Sequence, residues 1–201
     1  MKLNGIINYL YEVGLLKHQK RTGWWRMMVK DPESVAEHSH RAAVIGYILA
    51  SLEEGVNAER VAVLCLFHDT SETRTGDLSW LNQRYIAGAK EGERKAILEQ
   101  TAQLPQVIAQ KVVALSEEFN SRVSREAQLA KDADLLECLL QCREYAMQGY
   151  VKAQSWADMC YAGLRTETAQ NLARECLIAD PGQWFETLQE NPSSGSTDAT
   201  N

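Results

Sequence analysis

Apolar residues in this chain recur at intervals of three and four over long segments and do not alternate, the spacing of helices with one face turned inward. Only four prolines interrupt 201 residues, so those segments can run for several turns. The pattern predicts an all-α fold. A first helix is expected over about Leu3–Leu15, followed by a basic, aromatic loop from Lys17 to Arg26. After Pro32, Ser34-x-x-Glu37 is a capping box that opens a helix to about Glu53. Asn57 is placed to cap the next helix, Ala58 to about Glu72. Thr75-Gly76-Asp77 is read as a turn, and the stretch up to Gly88 is ambiguous. Further helices are expected at about Glu91–Gln103, Pro105–Glu118, Ser124–Gln148 and Glu167–Ala179, with a shorter one around Ser155–Tyr161.

Composition narrows the class. With 45% hydrophobic residues the chain can build a substantial core, which excludes a disulfide-stapled mini-protein and a disordered tail. Lys and Arg total 21 against 27 Asp and Glu, a net charge of −6, and no basic block stands out. No nucleic-acid polymer is expected as a partner. The five cysteines are odd in number and lack Cys-x-x-Cys spacing, so they are read as reduced, mostly buried thiols. The Cys138/Cys142 pair in particular reads as core thiol rather than ligand. Asn4, Asn8 and Glu12 interrupt the first apolar stretch, so no signal peptide is expected, and the longest apolar run, Ala42 to Ala50, falls far short of the roughly 20 residues that span a bilayer. The expectation is a cytoplasmic protein with no membrane partner. Residues 1–185 are read as one domain and 186–201 as a disordered tail, the composition turning to Pro, Ser, Thr, Gly, Asp and Asn from Asn191.

The four histidines separate by helical phase. A rotation of about 100° per residue puts His38 in a stripe with Ala42, Ile45, Leu49 and Leu52, facing inward, and turns His40 outward. On the following helix, Val61 to Phe67 is apolar almost all round and is expected to be buried, yet it runs directly into His68-Asp69. A buried carboxylate there needs compensation, and the end of a helix dipole disfavours it further. A divalent cation answers both demands, and a His-Asp pair offers it one nitrogen and one oxygen. Alternatively, His68 and Asp69 form a hydrogen-bonded pair, or an ion pair with Arg74. A further ligand could come from Lys131-Asp-Ala-Asp134, where periodicity does not choose between Asp132 and Asp134. Asp134 shares a face with small residues, whereas Asp132 faces the side of Arg143 and could pair with it.

These residues resemble a known family. His38, His68-Asp69 and Asp134 are similar to the H…HD…D pattern of the HD-domain metal-dependent phosphohydrolases. Arg21-Thr-Gly-Trp24, Pro32-Glu-Ser-Val-Ala-Glu-His38, His68-Asp-Thr-Ser-Glu72, Thr75-Gly-Asp77 and Lys131-Asp-Ala-Asp134 resemble the bacterial 5′-deoxynucleotidase branch and its archaeal and eukaryotic relatives. The likeness covers about Leu3 to Tyr150. It implies a single HD-domain helical bundle whose metal ligands are His38, His68, Asp69 and Asp134. It implies acid/base and substrate-placing roles for Glu72 and Asp77, and for Trp24 a place against the sugar that disfavours a 2′-hydroxyl. Where the bacterial branch has Arg before that Trp, this chain has Gly23, so either Arg21 or Arg26 would grip the phosphate.

The implied activity is metal-dependent hydrolysis of (deoxy)nucleoside 5′-monophosphates, with Co, Mn, Fe or Zn as the divalent ion and a small-molecule nucleotide as partner. A homodimer is implied as well. The alternatives are another phosphate ester as substrate, or a non-catalytic helical protein that keeps its metal for structure.

Overall fold

The computed structural model describes residues 3–190. Among them the order is α1 (Leu3–Gly14), two 3₁₀ turns (Leu15–Lys17 and Thr22–Met27), α2 (Val35–Ser51), α3 (Ala58–Phe67), short α4 (Glu72–Thr75) and α5 (Trp80–Gln83), then α6 (Ala89–Thr101), α7 (Gln106–Ser121), α8 (Arg125–Met147), α9 (Ala153–Gly163), α10 (Glu167–Ile178) and α11 (Gln183–Glu190). The all-α expectation holds; a lone bridge between Lys20 and Ser34 is the one extended pairing among the described residues.

Helix starts follow local chemistry. Ser34 accepts from the Glu37 amide while the Glu37 carboxylate accepts from the Ser34 amide, the reciprocal box that opens α2. Asn57 caps α3, Ser124 caps α8 and Thr166 caps α10 from one side only, each side chain accepting from the amide three residues on. The end of α3 differs from expectation. The helix stops at Phe67, not near Glu72, because His68 Nδ1 takes the Cys65 carbonyl at 2.6 Å and the Thr70 hydroxyl takes that of Phe67 at 3.0 Å. Side chains thereby satisfy the carbonyls that a further turn would have used.

The core lies between α2, α3 and α8, with α9 and α10 closing one side. His38, Ala42, Ile45 and Leu49 are buried as the phase predicts, and His40 is exposed; Leu52, expected in the stripe, is 66% exposed because α2 has ended beside it. The expectation that Val61–Phe67 is wholly buried fails at Val63 and Leu66, which face outward. Helix α11 runs from Gln183 through Glu190, into the stretch from 186 for which the expectation is a disordered tail; residues 191–201 lie outside the described residues.

Asp132 does not pair with Arg143. Its carboxylate accepts from the Arg165 and Thr166 amides and from the Thr166 hydroxyl at 2.7–3.1 Å, pinning the start of α10 to α8. Arg143 instead donates to Gln154 and to the Ala179 carbonyl. We expect Asp132→Ala to leave three donors without a partner and to lower unfolding free energy by about 3 kcal/mol, read by urea denaturation, without changing the metal content of the folded protein.

Candidate metal centre and active site

Helix α2 delivers His38, the turn after α3 delivers His68 and Asp69, and α8 delivers Asp134. His38 Nε2 lies 3.2 Å from Asp134 Oδ1 and 3.8 Å from Asp69 Oδ2; His68 Nε2 lies 3.0 Å from Asp69 Oδ2 and 3.9 Å from Asp134 Oδ1. The four groups therefore converge on one point. Both Nε2 atoms are buried, and neither has a properly directed hydrogen bond. A buried polar atom without a partner is costly, and two imidazole lone pairs facing two carboxylate oxygens form a donor set that fits a divalent cation.

The other nitrogen of each ring is committed. His68 Nδ1 is bound to the Cys65 carbonyl, and His38 Nδ1 meets Glu137 Oε2 at 2.5 Å. An acceptor at Nδ1 holds the proton there and leaves Nε2 to face the site. Glu137 is wholly buried, and its second oxygen takes two donors from Arg41, at 2.8 and 3.0 Å. Sequence reasoning missed Glu137; its signal was the three-residue step from Asp134 on α8, matched by the step from His38 to Arg41 on α2.

Charges around the centre are mutually dependent. Burial and Arg21 push the His38 imidazole down, but Glu137 and Asp134 prevail and hold it up to about 10. Burial works against the Asp69 carboxylate too, yet the two imidazoles and Arg21 bring it to about 2. Asp134 is likewise held well below the carboxylate range against its burial, first by Lys131, whose Nζ sits 2.5 Å from Oδ2, and then by the histidines. A cation arriving here competes with the His38 proton for the same nitrogen.

The centre opens into a cavity of about 410 Å³ lined by His68, Asp69 and Asp134 together with Arg21, Trp24, Glu72 and Asp77. Lys90, Arg122, Lys131 and Trp156 share the lining and were not assigned from the sequence. Arg21 Nη1 donates to Asp77 at 3.1 Å and approaches Asp69 at 3.5 Å. The structure does not bring Arg26 to the site: it donates to Asn82 on the exposed surface and is absent from the lining. Arg74 pairs with Glu12 and Glu99, not with Asp69.

Glu72 and Asp77, alike on paper, differ in surroundings. Asp77 Oδ2 accepts from the Thr22 amide and hydroxyl at 2.5 and 2.8 Å, and Oδ1 from Arg21. Glu72 Oε2 is buried without a partner, and burial together with Asp69 and Asp77 raises its pKa well above the carboxylate range. Trp24 is only 2% exposed, bonded through Nε1 to Glu33 and packed against Trp156 with the rings tilted by 52° and their centroids 4.8 Å apart. A Cβ at residue 23 would lie 2.3 Å from the Trp156 ring, so any other residue there would have to displace the indole.

A family model described as "HD domain" matches residues 13–175. The 5′-deoxynucleotidase HDDC2 of Bos taurus is 34% identical over 140 residues, 70% of this chain and 67% of that protein. The HDDC2 of Mus musculus is 33% identical over 141 residues, 70% of each. Among solved structures, a predicted metal-dependent phosphohydrolase from Magnetospirillum magnetotacticum superposes with a TM-score of 0.70 at 26% identity, covering 88% of this chain and 91% of the other. A conserved hypothetical protein from Pyrococcus furiosus gives 0.70 at 28%, covering 85% and 98%. With its histidine and aspartate pairs gathered at one point and the family match extending over most of its length, the chain belongs to the HD domain family.

Proposed function

We propose that this chain is a metal-dependent phosphohydrolase that releases phosphate from (deoxy)nucleoside 5′-monophosphates. The observation that carries the reading is the convergence of His38, His68, Asp69 and Asp134 beside a cavity that Arg21, Trp24 and Trp156 also line. The names of the related 5′-deoxynucleotidases point to the same substrate class. His38, His68, Asp69 and Asp134 hold the divalent ion, among Co, Mn, Fe and Zn. When bound, it supplies Lewis acidity, acidifying water and offsetting charge on a phosphoryl group.

Arg21 binds the phosphate, since its guanidinium fork matches phosphate oxygens and Asp77 and Asp69 hold it in place. Asp77 is a positioning residue, because both its oxygens are already engaged. Glu72 carries the proton at Oε2, the one buried carboxylate oxygen without a partner among the described residues. Trp24 and Trp156 form the aromatic wall against the sugar and base. The protein works in the cytoplasm as a homodimer, a contact for which the exposed apolar side chains of α2 and α3, among them Ile48 and Leu66, are suited.

Phosphate release from a panel of deoxynucleoside and nucleoside monophosphates, run with each metal, tests the reading. His68→Ala and Asp69→Ala should abolish metal-dependent turnover, and near-normal turnover in either would sink the assignment. Glu72→Gln should lower kcat by about 10²- to 10⁴-fold with little change in KM. Arg21→Ala should lower kcat/KM by about 10- to 100-fold, the loss of one charge-assisted contact, while Arg26→Ala leaves it unchanged.

The hydrogen bond behind His38 has its own consequence. Glu137→Gln keeps the shape but weakens the acceptor at Nδ1, and metal affinity should fall by about 10- to 100-fold, measured by competition with a chelating dye. Unchanged affinity would show that Glu137 serves only to pair with Arg41.

A further inference from the structure

Away from the histidines, three sulfurs meet. Cys138 and Cys142 stand one turn apart on α8, Cys160 reaches them from α9, and their Sγ atoms all lie within 4.8 Å of one another. All three are buried, free thiols, and Cys138 also lines the cavity of the proposed active site. Among the described residues no imidazole or carboxylate joins them within that distance. Packing alone explains a thiol as a small apolar filler, but it does not call for three at one point when Ala153 and Ala157 fill neighbouring space on α9.

We propose that Cys138, Cys142 and Cys160 form a three-sulfur site for a soft monovalent cation of the copper(I) class. Sulfur ligands select soft ions, and a structural zinc ion would need a fourth ligand that this cluster lacks. Metal–sulfur bonds of about 2.3 Å in a trigonal set span sulfur–sulfur edges of about 4 Å, within the 4.8 Å that bounds the spacing of the three Sγ atoms. Contacts among the sulfurs pull both ways, and burial leaves all three thiols high, so they stay protonated until an ion of high sulfur affinity displaces the protons. On loading, three S–H bonds break, three Cu–S bonds form and the three protons leave through the cavity beside Cys138. The ion offsets part of the thiolate charge, and Arg21, whose charge acts on Cys138, faces the remainder. The two centres then sort ions by softness, nitrogen and oxygen taking the divalent metal and sulfur the monovalent one.

Anaerobic titration of the reduced full-length protein with copper(I) held by a chromophoric chelator tests this. One equivalent per chain should transfer, and X-ray absorption of the wild-type complex should give a shell of three sulfurs. Cys142→Ser and Cys160→Ser should each weaken binding by more than about 100-fold, while Cys176→Ser and His68→Ala leave it intact. A shell containing nitrogen, a two-sulfur linear shell, or undiminished binding by Cys160→Ser would overturn the proposal. The wild-type spectrum decides even where a serine variant folds poorly.

Discussion

The contact between His38 Nδ1 and Glu137 is the interaction on which the site depends. It joins α2 to α8 across 99 residues of sequence, in a place where neither side chain reaches water. A carboxylate buried this way costs several kcal/mol, in order of magnitude, unless it is fully met. Here it is met twice, by the imidazole on one oxygen and by Arg41 on the other, and burial is thereby outweighed so that Glu137 stays below the usual carboxylate range. Once α2 and α8 are held at this distance, one turn back along α8 brings Asp134 to the other nitrogen of the same ring. The geometry that satisfies the core also aims Nε2.

The net charge of −6 says little about the cavity. Arg21, Lys90, Arg122 and Lys131 all line it, interleaved with Asp69, Glu72 and Asp77. The cavity presents a mixed field in which carboxylates hold Arg21 and Lys131, while Lys90 and Arg122 have no carboxylate partner among the described residues. Lys131 holds one oxygen of Asp134 and lies over the Phe119 ring, leaving the other oxygen for the imidazoles.

Much of this was legible from local rules. Helical phase separates His38 from His40 because rotation along one helix is a local property, and the capping motifs mark helix starts for the same reason. Asp132 and Asp134 could not be separated that way, since both are buried on α8 and the distinction lies in Arg165 and Thr166, more than a helix away. Arg26 looked as suitable as Arg21 because both flank the same tryptophans; only the fold turns one toward Asp77 and the other toward Asn82. Glu137 was invisible for a related reason. A carboxylate in an apolar run has no local signature until the arginine that meets it is placed opposite. The early end of α3 depends on a histidine side chain capturing its own helix carbonyl, which apolar periodicity does not register.

The C-terminal helices carry none of the recognisable motifs, yet the site is incomplete without them. Trp156 from α9 fills the space beside residue 23 so closely that any β-carbon would collide with its ring. Glycine there and tryptophan at 156 are therefore one choice made at two positions. Taking both removes a side chain that could carry charge from the loop before Trp24 and puts an aromatic surface in the cavity instead. The positive charge that the loop then contributes to the lining is that of Arg21, two residues earlier, which Asp77 and Asp69 hold in position while Asp77 also fixes the Thr22 amide. The position of α9 thus sets the aromatic wall of the cavity, and the motif-bearing helices place the histidines and carboxylates that gather beside it.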